Sequence, residues 1–238
     1  MKQKGTLYLI PCPISDLTEV YDVTPTANKA VIDSLDYFIV ENLRSARRFL
    51  SKAKIARPID SLEFRELNEH TTNLQDVAAM VKLIEEGRSA GVISEAGVPA
   101  VADPGALVVA ACHKRGIKVV PLVGPSSIIM AMMASGLNGQ SFAFNGYLPI
   151  KEPERSRAIR SFERRAQQEG QSQLFIEAPY RNIKLFDQLL TTLAAQTPLT
   201  VAMDITSPNE FIETHDAAEW RKIVRPDMNK KPTIFIIG

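Results

Sequence analysis

Two carboxylates in this 238-residue chain are each followed, at short spacing, by an arginine. Glu41 precedes Arg44, and Glu177 precedes Arg181 across Ala-Pro-Tyr, each pair standing at the end of an apolar run. A carboxylate oriented by a guanidinium can accept a proton from a substrate hydroxyl, so all four are candidate catalytic residues; a structural ion pair is the other reading of each. No serine occupies a nucleophile elbow. Cys12 and Cys112 are far apart and His70, His113 and His215 are scattered, which gives no metal-ligand spacing and fits a reducing cytoplasm.

Three further segments have peculiar composition. Pro11-Cys12-Pro13-Ile14 loses two N–H donors to proline, so it can wall a ligand but is poorly suited to cradle a phosphate; a rigid turn is the plain alternative. Ser94-Glu95-Ala96-Gly97-Val98-Pro99, running on to Asp103-Pro104-Gly105, is rich in small residues that let backbone approach a ligand closely. Asp103 looks like the cap of the next helix, which leaves Glu95 to be explained. Gly124-Pro125-Ser126-Ser127 opens a helix, where it either binds a polar group or simply caps. Both GxGxxG and GxxxxGK[ST] are missing, so dinucleotide and nucleoside triphosphate sites have no support.

The elements that must position these segments follow from apolar periodicity. Strands are expected near Gly5–Ile10, Tyr37–Val40, Gly91–Ser94 and Ile117–Pro121, with helices over Asn73–Glu86 and Pro104–Arg115, which reads as an open, mostly parallel α/β sheet. Beyond a helix over Ile128–Ala134, strands near Ser141–Asn145, Gln173–Glu177, Thr200–Asp204, Phe211–Thr214 and Thr233–Ile237 outnumber the helices over Ser156–Glu169 and Asn182–Ala194. That half therefore needs antiparallel pairing, giving a mixed sheet. The expected architecture is α/β, with domains 1–120 and 121–238 meeting at a hinge near 118–123 and a cleft between them.

The first apolar run is too short for a secretory signal, and no segment is long enough to span a membrane. A net charge of +1 calls for no polyanion, but two basic clusters do stand out: Arg44 to Arg57, and Lys151 to Arg165. Each is either a polyanion-facing patch or a solvated helix face.

Taken in order, Gly5-Thr-Leu-Tyr-Leu-Ile-Pro-Cys-Pro-Ile14, Glu41-Asn-Leu-Arg44, Ser94-Glu-Ala-Gly-Val-Pro99, Asp103-Pro-Gly105, Val123-Gly-Pro-Ser-Ser127, Ser135-Gly-Leu137, Phe144-Asn-Gly-Tyr-Leu-Pro149 and Glu177-Ala-Pro-Tyr-Arg181 resemble the small-subunit ribosomal RNA 2'-O-ribose methyltransferases of the tetrapyrrole-methylase superfamily. The resemblance covers nearly the whole chain. It implies a tetrapyrrole-methylase-like fold of two α/β lobes, the cofactor S-adenosyl-L-methionine (AdoMet) in the cleft, a homodimer and an RNA substrate in the ribosomal small subunit. It further implies cofactor contacts from Ile10, Pro11 and Pro13, from Glu95, Ala96, Gly97, Val98 and Pro99, and from Ser126 and Ser127, with Ala202, Met203, Pro232 and Thr233 flanking the adenine. The polar motifs depart from the family's usual forms. Glu-Asp-Thr-Arg becomes Glu41-Asn42-Leu43-Arg44, and Ser-Asp-Ala-Gly becomes Ser94-Glu95-Ala96-Gly97. Methylation of a tetrapyrrole or another small molecule, or AdoMet binding without catalysis, are the alternatives.

Overall fold

The computed structural model describes residues 3–68 and 73–238, which fall into two compact units, Met1–Ser126 and Ser127–Gly238. In chain order the first unit comprises β1 (Thr6–Leu9), α1 (Val20–Val23), α2 (Ala27–Ser34), β2 (Tyr37–Val40), α3 (Leu43–Lys52), β3 (Glu63–Glu66), α4 (Leu74–Glu85), β4 (Ala90–Ile93), α5 (Gly105–Lys114) and β5 (Lys118–Pro121). The strands form one five-stranded sheet in the order β3-β2-β4-β1-β5, and every pairing is parallel.

The burial of β2 shows why. Its four residues are all buried, and successive side chains point to opposite faces. Tyr37 and Ile39 pack with Val77, Met80, Val81 and Ile84 of α4 and with Val108 and Cys112 of α5. Phe38 and Val40 pack with Ile32 of α2 and with Ala46, Phe49 and Leu50 of α3. A strand covered on both faces needs a continuous apolar run, and Tyr-Phe-Ile-Val supplies it. Sequence periodicity missed β3, although Leu62 and Phe64 alternate with Glu63 and Arg65, the period of a half-covered edge strand. Because the strands run parallel, the residues after β1, β2, β4 and β5 all emerge at one edge of the sheet.

The second unit comprises α6 (Ser127–Ser135), β6 (Phe142–Tyr147), α7 (Glu154–Glu169), β7 (Ser172–Ile176), α8 (Asn182–Thr192), β8 (Pro198–Met203), β9 (Phe211–Asp216), α9 (Ala217–Trp220) and β10 (Thr233–Ile237). Its sheet runs β6-β7-β10-β8-β9; β6 pairs parallel with β7, and the remaining pairings are antiparallel. Phe175, Val201, Phe235 and Ile237 of the sheet pack against Ile159 of α7, Leu185 and Phe186 of α8, and Trp220 of α9. Burial of each such side chain is worth roughly 1.5–3 kcal/mol. The Trp220 indole meets the Phe186 ring edge-on at 5.4 Å and donates its N–H to the Leu199 carbonyl at 2.7 Å, which satisfies its one polar atom. Among the described residues no helix is long and apolar enough to cross a membrane.

Candidate functional site

At the carboxyl edge of the parallel sheet, the loops after β1 and β4 are tied together. Cys12 and Gly97 exchange backbone hydrogen bonds, Cys12 N–H to Gly97 O at 2.8 Å and Gly97 N–H to Cys12 O at 3.2 Å. The Cys12 thiol lies 3.7 Å from the Ser94 carbonyl, and burial pushes its pKa well up, so it is a packing group and no nucleophile. The loop after β5 closes on the same place, with Gly124 so near Pro11 that a Cβ on the glycine would lie 2.2 Å from the proline ring. Ile10, Pro11, Pro13, Glu95, Ala96, Gly97, Val98, Pro99 and Ser126 therefore gather at one edge of the first unit.

The loop after β4 is held in an unusual conformation. Gly97, Ala100 and Ala102 take φ of +68°, +67° and +60°, a region that costs an alanine about 1–2 kcal/mol. Asp103 holds the loop in this shape: its carboxylate accepts the N–H of Ala100 and of Gly105, both at 2.7 Å. Burial raises its pKa, and those two N–H groups pull it back down. The aspartate thus braces the loop as well as serving the start of α5, whose N-cap position is Pro104. Gly97 is buried, and a Cβ on it would meet the Pro125 carbonyl at 3.6 Å and the Ile14 side chain at 4.0 Å, whereas Glu95 and Ala96 beside it are exposed. Small side chains, proline walls and exposed main chain suit a compact zwitterionic or sulfonium ligand, and the residues fit AdoMet on that count.

Glu41, at the end of β2, is half-buried and accepts the Glu95 N–H at 3.1 Å. Burial raises its pKa, the Glu95 N–H opposes the rise, and the charges of Glu95 and Asp103 add to it. Arg44 does not orient Glu41: the arginine is exposed on α3, and no Glu41–Arg44 ion pair occurs among the described residues. The start of α3 separates the two: Glu41 precedes the cap Asn42, whose side chain accepts the Ser45 N–H at 3.1 Å, and Arg44 is the second helical residue. Asparagine and aspartate cap equally well, so the departure at position 42 leaves this structural task intact.

In the second unit the other pair does meet. The Arg181 guanidinium reaches Glu177 Oε1 through Nε at 2.9 Å and Nη2 at 2.6 Å. Sequence reasoning missed the third member, Arg155 of α7, whose guanidinium stands 3.6 Å from Glu177 Oε2 while bonding the Pro149 and Ile150 carbonyls. The Glu177 and Arg155 side chains are 1% and 2% exposed, which favours the ion-pair reading for Glu177. Breaking such a pair by removing one member costs about 3–5 kcal/mol. Separately, the antiparallel ladder places Ala202 opposite Ile234 and Met203 opposite Thr233, with Asp204 N–H on the Pro232 carbonyl at 3.0 Å, so Ala202, Met203, Pro232 and Thr233 gather at one end of β8 and β10. Ser127 stands at the start of α6.

The two basic clusters differ. In the first, Arg47 pairs with Asp60, Arg48 with Asp16 at 3.2 Å, and Lys52 donates to the Asp16 carbonyl at 2.8 Å, so much of its charge serves the fold. In the second, Arg157, Arg160 and Arg164 repeat at helical spacing on the side of α7 away from its buried residues Arg155, Ile159 and Ala166. Arg160 and Arg164 are exposed and have no ion pair among the described residues. The neighbouring Glu163 faces its own unit, accepting from Ala194 N–H at 2.7 Å and from Thr197.

Similarity to known proteins agrees with this architecture. Among solved structures, the methyltransferase CobJ superposes with a TM-score of 0.61 at 16% identity, covering 98% of this chain and 94% of that one. The cobalt precorrin-4 methyltransferase CbiF does so with 0.59, again at 16% identity, with coverage of 98% and 94%. At these identities the likeness concerns the fold alone. In sequence, the chain is 31% identical to the ribosomal RNA small subunit methyltransferase I of Vibrio cholerae, over 94% of this chain and 73% of that protein. It is 30% identical to the Xylella fastidiosa protein of the same name, over 100% of this chain and 82% of that one. The family model described as tetrapyrrole (corrin/porphyrin) methylases matches residues 7–220, and the chain belongs to that family.

Proposed function

We propose that this protein is an AdoMet-dependent methyltransferase acting on a ribose 2'-hydroxyl of small-subunit ribosomal RNA. The observation that carries the reading is its similarity, at about 30% identity over nearly the full chain, to relatives named for methylation of that RNA. The exposed arginine row on α7, in which Arg157 pairs with Glu154, supports a polyanionic substrate. When bound, AdoMet supplies a methyl group on a positively charged sulfur, an already activated leaving group. Ile10, Pro11, Pro13 and Glu95 to Pro99 would hold it with Ser126 and Ser127, while Ala202, Met203, Pro232 and Thr233 would flank its adenine.

The chain's own tasks are then to position the hydroxyl and to take up its proton. Glu41 is the base in this reading, because it is half-buried at the edge where the cofactor loops converge and is tied to one of them through Glu95 N–H. Glu177 positions Arg181, and Arg44, exposed on α3, would meet substrate. A homodimer, implied by the family resemblance, in the reducing cytoplasm that the cysteine pattern fits, completes the reading. Incubation with methyl-labelled AdoMet, offering small-subunit ribosomal RNA and a tetrapyrrole in parallel, tests it. Label is expected in the RNA; label in the tetrapyrrole alone would replace the reading, and AdoMet binding without transfer to either would mark a silent relative.

A further inference from the structure

Tyr147 and Tyr180 are among the most exposed large side chains of the second unit, at 64% and 69% of their free surface. They are not scattered. Tyr147 ends β6 opposite Ile176, the last residue of β7, and Tyr180 follows four residues later in the short 3-10 turn Pro179–Arg181. The Arg181 guanidinium pKa is raised, first by its hydrogen bond to Glu177 and in smaller part by the charges that Tyr180 and Tyr147 carry when ionised.

Tyr180 is held as few surface tyrosines are. The Arg181 guanidinium lies 5.1 Å from its ring centroid and donates to its hydroxyl at 3.0 Å. Arg181 is in turn clamped by the two hydrogen bonds it donates to Glu177, which is backed by buried Arg155. Burying a carboxylate and a guanidinium to fix a solvent-facing ring is costly unless the ring's orientation matters. One side of the ring is backed by a cation and the rest is open. That is the form of a stacking surface for a planar, electron-rich group presented by an unpaired strand, since bases inside a duplex are already stacked.

We propose that Tyr180, backed by Arg181 and flanked by Tyr147, is a stacking platform for an unpaired RNA base. This rests on the RNA reading above and sharpens it, because it assigns the protein a single-stranded or splayed substrate segment. The platform positions the strand; it touches no reacting atom. Its test uses the full chain and four proteins: wild type, Tyr180→Ala, Tyr180→Phe and Tyr147→Ala. Each is titrated against oligo(A) RNA and against the oligo(A)·oligo(U) duplex, with AdoMet affinity and methyl transfer to small-subunit RNA measured alongside.

Tyr180→Ala is expected to weaken oligo(A) binding roughly 5- to 100-fold, the range set by loss of one base stack. Tyr180→Phe should restore most of it, Tyr147→Ala should fall between, and duplex and AdoMet affinities should stay at wild-type values. Unchanged oligo(A) binding in Tyr180→Ala, or no rescue by phenylalanine, overturns the platform. Loss of AdoMet affinity in Tyr180→Ala also overturns it, reassigning the ring to the cofactor. If wild type transfers methyl to no RNA, the functional reading fails on its own account, whatever the variants do.

Discussion

The Glu41 carboxylate lies where burial and the charges of Glu95 and Asp103 favour its neutral form, against a single stabilising N–H from Glu95. A base so placed ionises at higher pH than an ordinary glutamate. Methyl transfer should therefore rise with pH through a midpoint above the usual carboxylate range, and Glu41→Gln should lower kcat by about 10²–10⁴ and flatten that limb. A Glu41→Gln enzyme with an unaltered rate and pH profile would remove Glu41 from the chemistry. The pairing with Arg44 was misread from spacing, because three residues spanning a helix start do not share a face. Spacing did find Glu177 with Arg181, four residues apart across a short turn. It could not find Arg155, which comes from another element twenty-two positions earlier, and contacts of that kind leave no local pattern.

At the scale of elements, the carboxyl edge of the parallel sheet depends on loops leaning on each other. Gly124 abuts Pro11, so Gly124→Ala must push the two loops apart. It should weaken AdoMet binding at least tenfold by calorimetry, whereas Gly139→Ala, where a Cβ would meet nothing within 4 Å, should leave that affinity unchanged. The strands carrying these loops were legible because β1, β2 and β4 are short apolar runs between turn residues. In β2 the run matches Tyr37–Val40 residue for residue. The strand β3 was hidden by its charge, since an edge strand shows only one apolar face. The strained φ values at Ala100 and Ala102 had no signal either: alanine rarely occupies that region, and only the Asp103 brace explains it.

At the scale of the whole molecule, a net charge of +1 hides an uneven distribution. The arginine row on α7 is exposed, with Arg157 on Glu154 at 3.2 Å, so replacing Arg157, Arg160 and Arg164 together by glutamine should cut the salt dependence of RNA binding. Each lost phosphate contact removes about 0.7–0.9 from the slope of log K against log salt, roughly 2.1–2.7 units for three arginines. Thermal stability should hardly move, since exposed ion pairs and free charges contribute little. An unchanged slope would return the row to the solvated-face reading. The central claim is ribose methylation of small-subunit RNA, and its most direct measurement is nucleoside analysis of that RNA after reaction with methyl-labelled AdoMet. The account predicts label in a 2'-O-methyl nucleoside at an alkali-resistant linkage. Label on a base, or in a tetrapyrrole while the RNA stays unlabelled, would contradict it.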